Sequence, residues 1–407
     1  MQRYLVVRAE TYLLETMTRR GKNNLDFYDD EMLASGSGNV ESESPTHFKR
    51  NFNNNVVSNP IGQISVGRVG LRTQGVDPIL VGAFVLLLGV SVLMVFSTTA
   101  IISQEVYGDS GRMVRAHLVH VVIAIISMFL LSRVDVETIY KLAPTLFGII
   151  FISLVLTLIP GIGHIAGGAR RWIVLGPIRF QPGEFAKLGA LFYFSWYIGR
   201  FHERMDSFIF GVGIPGLLLG AIGALLLAEP DFGTTVVVAL VLFSQLLLSA
   251  RLSHLALLGS GALGAIFLLV LHSPYRLRRF AAFLDPFHDP SSSGYQLIQS
   301  LIAVGTGGLN GRGLGAGRQK LFYLPAAHTD FIFAVISEEL GILGASFVLM
   351  LFMVILVRGV RITKVLISDP YLTSLAIGAT SLIVLPALLN IWLLESAGLN
   401  IIDELLV

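Results

Sequence analysis

The 407-residue chain contains no cysteine. That removes disulfides, thiolate metal sites and cysteine nucleophiles together. Charge is scarce as well: Asp, Glu, Lys and Arg make up 14% of the residues, against about 25% in a typical soluble domain. The net charge of +2 is too small to draw the chain to a nucleic acid, and no such partner is expected. Also missing are a zinc-protease H-E-x-x-H pair, a P-loop ending in Gly-Lys-Ser/Thr and a nucleophile elbow. Metalloprotease, ATPase and hydrolase chemistry are thereby excluded. What is abundant is apolar: 54% of residues are hydrophobic and mean hydropathy is +0.73. There is too little polar surface to cover a globule in water, so the surplus faces lipid. The 42 glycines suit helices packed closely in a bilayer.

Residues 1–76 differ from the rest, being polar and patchy with an Asn-rich run at 51–55. They are expected to form a largely disordered cytoplasmic tail. From Ile79 onward, apolar runs alternate with short polar breaks at 79–101, 116–131, 142–159, 185–199, 207–228, 232–250, 252–272, 341–357 and 371–394. Runs of this length are the signature of spanning helices. Helices satisfy their own backbone groups in lipid, so the expected fold is an all-α polytopic membrane protein with nine visible transmembrane helices, residues 77–407.

With the tail inside, the short cytoplasmic breaks carry Arg133, Lys141, Arg200, Arg204, Arg251, Arg358, Arg361 and Lys364, as the positive-inside rule requires. Two longer loops, 160–184 and 273–340, then lie on the extracytoplasmic side. The second is a large loop between spans 7 and 8, expected to form short helices near the outer leaflet. Both loops are also rich in cations, among them Arg171, Arg276, Arg278 and Arg279. Long loops escape the rule, and an anionic ligand at the outer face would account for the placement.

Several constellations in these loops carry chemistry. Asp285 and Asp289 flank His288 just before Gly294-Tyr-Gln296. A carboxylate there suits a general base, while Asp289-Pro290 equally reads as a helix N-cap followed by proline. Residues 305–317 hold seven glycines in thirteen, which is either a phosphate-cradling run of N–H groups or a turn region. Glu184 and Lys187 stand at i, i+3 where the fourth span begins, so they form an intrahelical pair or face a functional cavity. Glu229-Pro230-Asp231 is a turn or a second such cluster. His328, Asp330, Glu338 and Glu339 are helix-start residues or ligands, and His117 and His120 are expected to be packed and neutral.

Four segments also carry a resemblance: GGARRWIVLGPIRFQPGEFAKL at 167–188, AEPDFGTTVVV at 228–238, the aspartate-rich stretch opening 285–341, and HTDFIFAVISEELG closing it. In wording and order they resemble the SEDS family (shape, elongation, division and sporulation proteins), over roughly 79–395. The resemblance implies a ten-helix glycosyltransferase that polymerises lipid II, an undecaprenyl-pyrophosphate-linked disaccharide peptide. It implies a class B penicillin-binding protein transpeptidase and other division proteins as partners, in the bacterial inner membrane.

By motif position the family's essential aspartate falls on Asp289, its Arg-Trp tryptophan on Trp172 beside Arg171, its cavity pair on Glu184 and Lys187, and its Gly-Tyr-Gln glutamine on Gln296. The family's usual Gln-Pro-Ser-Glu reads Gln-Pro-Gly183-Glu here. Arg276, Arg278 and Arg279 are assigned to pyrophosphate on electrostatic grounds alone. No metal ligands are assigned, although a divalent cation, Mg or Mn, would help neutralise pyrophosphate. The long tail and the wording at 167–188 lean toward the division-type branch.

The family's tenth helix and its preceding motif are not found after Leu394, which keeps open a truncated scaffold. A lipid II flippase is the rival from another class. It calls for ionisable groups at mid-bilayer depth, and the apolar runs are nearly free of them.

Overall fold

A computed structural model describes residues 76–166, 169–176, 178–272, 294–318 and 331–405, with the single positions 277 and 281. The expected N-terminal tail lies outside these residues, apart from Val76. The chain begins with α1 (Pro78–Tyr107), α2 (Arg112–Leu131) and α3 (Val136–Leu158). A meander of β1 (Gly163–Ala166), β2 (Ala169–Leu175) and β3 (Ile178–Phe180) leads into α4 (Pro182–Phe201). Then come α5 (Ile214–Ala228), entered through a π turn at Ile209–Gly213, α6 (Phe232–Leu247) and α7 (Leu252–Leu271). The helices α8 (Tyr295–Gly307), α9 (Ile332–Val365) and α10 (Pro370–Leu405) follow.

Every expected apolar run falls on helix among the described residues. Six segments are long and apolar enough to cross a membrane: α1, α2, α3, the π turn with α5, α9, and α10 from Pro370 to Ile391. Of the remainder, α6 and α7 are shorter apolar helices, and α4 carries Glu184, Lys187 and Arg200 within its 20 residues. Beyond Leu394 the chain stays helical to Leu405.

The all-α expectation needs correction. Within the loop 160–184, β1, β2 and β3 form a three-stranded antiparallel sheet in the order β1-β2-β3, and α4 begins at Pro182. Leu175 pairs with Ile178 across a two-residue turn, and Gly176 takes the φ of +61° that such a turn favours in glycine. Trp172, Ile173 and Val174 are aromatic and β-branched residues that favour a strand. β2 pairs on both sides, with β1 and with β3, so the central strand has a neighbour for its backbone groups along each edge.

Packing has two centres. Ala186, Ala190, Phe194 and Ile198 of α4 meet Ile150 and Leu154 of α3, Ile222 and Leu226 of α5, and Val238 and Leu242 of α6. Separately, Met94 of α1 packs with Ala303 of α8 and with Ala334, Val335 and Val348 of α9. Between them, the Gln245 amide donates to Leu191 O at 3.1 Å, Ser195 Oγ at 2.8 Å and Ser374 O at 3.4 Å, tying α4, α6 and α10 together. A Cβ at Gly378 would stand 2.6 Å from that amide, so α10 approaches only because the position is glycine. Where α1 begins, Asp77 caps the helix through Ile79 N and pairs with Arg358 of α9 at 2.5 Å.

Candidate functional site

The short connections reverse the chain from helix to helix, so the end of α3, the sheet, the start of α4 and the α5–α6 bend gather at one end of the bundle. Polar groups concentrate there. Gln181 precedes α4, whose first turn opens with Pro182 and carries Glu184. Lys187 Nζ pairs with Glu184 at 2.7 Å, the lysine 23% exposed and the glutamate 55%. Both line a cavity of about 310 Å³ with Phe185, Leu188, and Leu382 and Pro386 of α10. The pairing expected from spacing is thus present, and it faces a cavity.

Arg171 does not stand free to grip a ligand with its whole fork. Its Nε donates to Glu229 O at 2.9 Å, and one terminal nitrogen donates to Pro230 O. Two of five guanidinium donors are thereby committed, and the group is held in one orientation. Trp172 is the next residue on β2, opposite His164 of β1. Strand alternation directs it to the other face from Arg171.

Glu229 itself is 1% exposed. The Thr157 hydroxyl donates to its Oε1, and Oε2 has no partner. Burial pushes its carboxyl up to about 7; the Thr157 hydrogen bond opposes this, Asp231 adds to it, and Arg171 opposes it again. Asp231 caps α6, accepting from Thr234 N at 3.1 Å and Thr234 Oγ1 at 2.9 Å. A Cβ at Gly183 would lie 3.3 Å from Asp231 Oδ2, so the α5–α6 bend rests directly on the start of α4.

Gln296 is exposed on the first turn of α8 and does not line the α4–α10 cavity. Asp289, Arg276, Arg278 and Arg279 lie outside the described residues. His117 bonds Ser91 at 3.1 Å, whereas His120 is exposed on α2, where Ala116 O lies 2.7 Å from its Nδ1, contrary to the packed position expected. Among the described residues no three His, Cys, Asp or Glu side chains gather to hold a metal ion.

The glycine-rich run closes α8 at Gly307 and is a turn region from Gly308, and several of its donors are used internally. Arg312 N and Gly313 N donate to the Glu338 and Glu339 carbonyls at 3.0 Å each. Gly315 N reaches Glu339 Oε2 at 3.1 Å and Arg318 N reaches Glu338 Oε1 at 2.7 Å. Ser97 of α1 donates to both Glu339 oxygens, at 2.8 and 2.7 Å. The run therefore cradles carboxylates of its own chain. Sequence reasoning left Glu229 as a turn residue or part of a second functional cluster, and Glu338 and Glu339 as helix-start residues or ligands. The available signal was acidic side chains abutting long apolar runs, where an ionisable group is costly.

Apolar helices around a polar end, braced by a small sheet, define a polytopic membrane protein with polar side chains gathered at one end of its bundle. The comparisons with known proteins sharpen this. A family model described as cell cycle protein, covering the FtsW, RodA and SpoVE proteins, matches residues 78–398. The chain belongs to that family. It is 39% identical to stage V sporulation protein E of Bacillus subtilis over 77% of this chain and 86% of that one. It is 41% identical to a probable peptidoglycan glycosyltransferase FtsW of Legionella pneumophila, over 70% and 73%. Among solved structures it superposes on a chain of a peptidoglycan synthase complex that coordinates polymerization and crosslinking, with TM-score 0.60 and 26% identity, covering 80% of this chain and 88% of that one. It shares the fold of the rod shape determining protein RodA of Thermus thermophilus, with TM-score 0.52 and 22% identity, over 80% and 98%.

Proposed function

We propose that this chain is a peptidoglycan glycosyltransferase that polymerises lipid II at the outer face of the cytoplasmic membrane, in septal wall synthesis. The observation that carries the reading is the family match across 78–398, with relatives named as peptidoglycan glycosyltransferases at 36–43% identity. The geometry supports it: the fixed Arg171 fork and the Glu184–Lys187 cavity lie at the end of the bundle where an anionic lipid headgroup would arrive. In this reading nine helices span the membrane, with the N-terminus cytoplasmic and the sheet outside. The partners are a class B penicillin-binding protein and other division proteins.

The chemistry is a displacement at the anomeric carbon of the donor. Asp289 takes the proton of the acceptor sugar hydroxyl as its oxygen bonds that carbon, and the bond to the pyrophosphate oxygen breaks. The leaving pyrophosphate gathers negative charge, which the free edge of Arg171 and the arginines at 276, 278 and 279 stabilise. Glu184 holds Lys187 in place beside the cavity, and Trp172 and Gln296 contact the substrate.

Purified chain, supplied with its transpeptidase and lipid II, is expected to produce glycan strands, and Asp289→Ala none. Strands from both would remove Asp289 as the base. Strands from neither would favour a flippase or a scaffold.

A further inference from the structure

The α5–α6 bend contains a buried acid for which the proposed chemistry has no role. Glu229 is 1% exposed, follows directly on α5, and presents one oxygen to Thr157 of α3 while the other has no partner. Its own carbonyl and that of Pro230 are the two acceptors that orient Arg171. The side chain therefore anchors the bend to α3, and the backbone of the same bend sets the guanidinium. An ionised carboxylate at this depth, with an unpaired oxygen, would be severely destabilised.

We propose that Glu229 is a positioning residue that works as a neutral carboxylic acid, holding the α5–α6 bend against α3 so that its carbonyls fix the Arg171 fork. The charged and titratable groups facing it are Arg171 on β2 and Asp231 at the start of α6; α3 contributes the uncharged Thr157. Asp231 disfavours a second negative charge, and the Arg171 fork is turned to the backbone carbonyls. Burial accordingly pushes the Glu229 carboxyl up to about 7. The role of Arg171 in the reaction rests on the function proposed above; the neutral state of Glu229 does not.

Two measurements test the idea on the full-length chain in detergent. The first is thermal stability against pH for wild type and Glu229→Gln, which keeps the shape and cannot ionise. A carboxyl raised in the folded state favours folding fully below about pH 4.5, and that contribution is lost as pH rises toward about 7. The wild-type melting temperature, relative to Glu229→Gln, should fall between about pH 5 and 7 and level off above. A difference that does not change with pH would overturn the neutral acid. This readout stands even if the chain polymerises nothing, an outcome that would refute the proposed function alone.

The second is the pH–rate profile of lipid II polymerisation. Wild type should lose rate above about pH 7, by up to about tenfold per unit, as the acid ionises. Glu229→Gln should stay within about threefold of the wild-type maximum and lack that loss, while Glu229→Ala should fall roughly 10- to 100-fold at every pH. A Gln variant as impaired as Ala, or one that keeps the alkaline loss, would overturn the positioning role.

Discussion

Helices α2 and α4 are each 20 residues long, and they use their residues in opposite ways. α2 is apolar enough to count as a membrane span, yet none of its residues is buried by the rest of the chain. α4 carries charges at both ends and does not qualify as a span among the described residues. Even so, half its length is buried, including Gly189, Ala190, Phe194 and Ile198. In water the more apolar helix would be the more buried one. In a bilayer lipid is as apolar as leucine, so hydrophobicity places a helix in the membrane but does not bury it in protein. Small residues and polar partners do that, and α4 has both.

The comparison can be broken most sharply by enlarging a small residue on α4. A Cβ at Gly189 would already stand 2.5 Å from Ile150 Cδ1. Gly189→Leu should therefore cost about 3 kcal/mol or more, seen as a large drop in melting temperature and in monodisperse yield. Loss of a buried polar anchor comes next. Glu339→Ala would remove the carboxylate that accepts from the Ser97 hydroxyl and from Gly315 N–H, a loss of about 2–4 kcal/mol that thermal melts would report. Glu339→Gln should recover part of it by keeping an acceptor oxygen.

A gentler change sharpens the comparison at the α4 entrance. Gly183→Ser would bring a hydroxyl against Asp231, whose Oδ2 lies 3.3 Å from the added Cβ. The crowding and the new hydrogen bond nearly offset, so stability should move by less than about 1 kcal/mol. A drop beyond that in the melting temperature would show that the bend cannot yield. The smallest effect belongs to α2, where Ile126→Ala removes methyl groups 53% exposed within the chain. Melting should change by less than about 0.5 kcal/mol; a larger loss would reveal a protein surface packed on α2.

The helices were legible in the sequence because lipid demands long uninterrupted apolar runs, and runs such as 79–101 and 142–159 differ from their helices mainly at the ends, where α1 and α3 extend into polar residues. The Glu184–Lys187 pair was legible from i, i+3 spacing. The sheet was not: its strands span 4, 7 and 3 residues, too short for alternation to stand out inside a charged loop. Nor was the part played by the glycine run, because its ligands, Glu338 and Glu339, are distant in sequence and sit in a helix of their own. Arg171 was recognised as a cation, but not as one already tied to two carbonyls.

The sequence by itself determined the solvent, the helical character of the apolar runs and the family, because each follows from local composition or from an ordered string of motif residues. Tertiary structure alone decided which polar groups meet. That Thr157, Arg171 and Glu229 share one junction depends on how α3, β2 and the α5–α6 bend pack, and side chains 58 and 72 residues apart in the chain have no local signature of the contact they make.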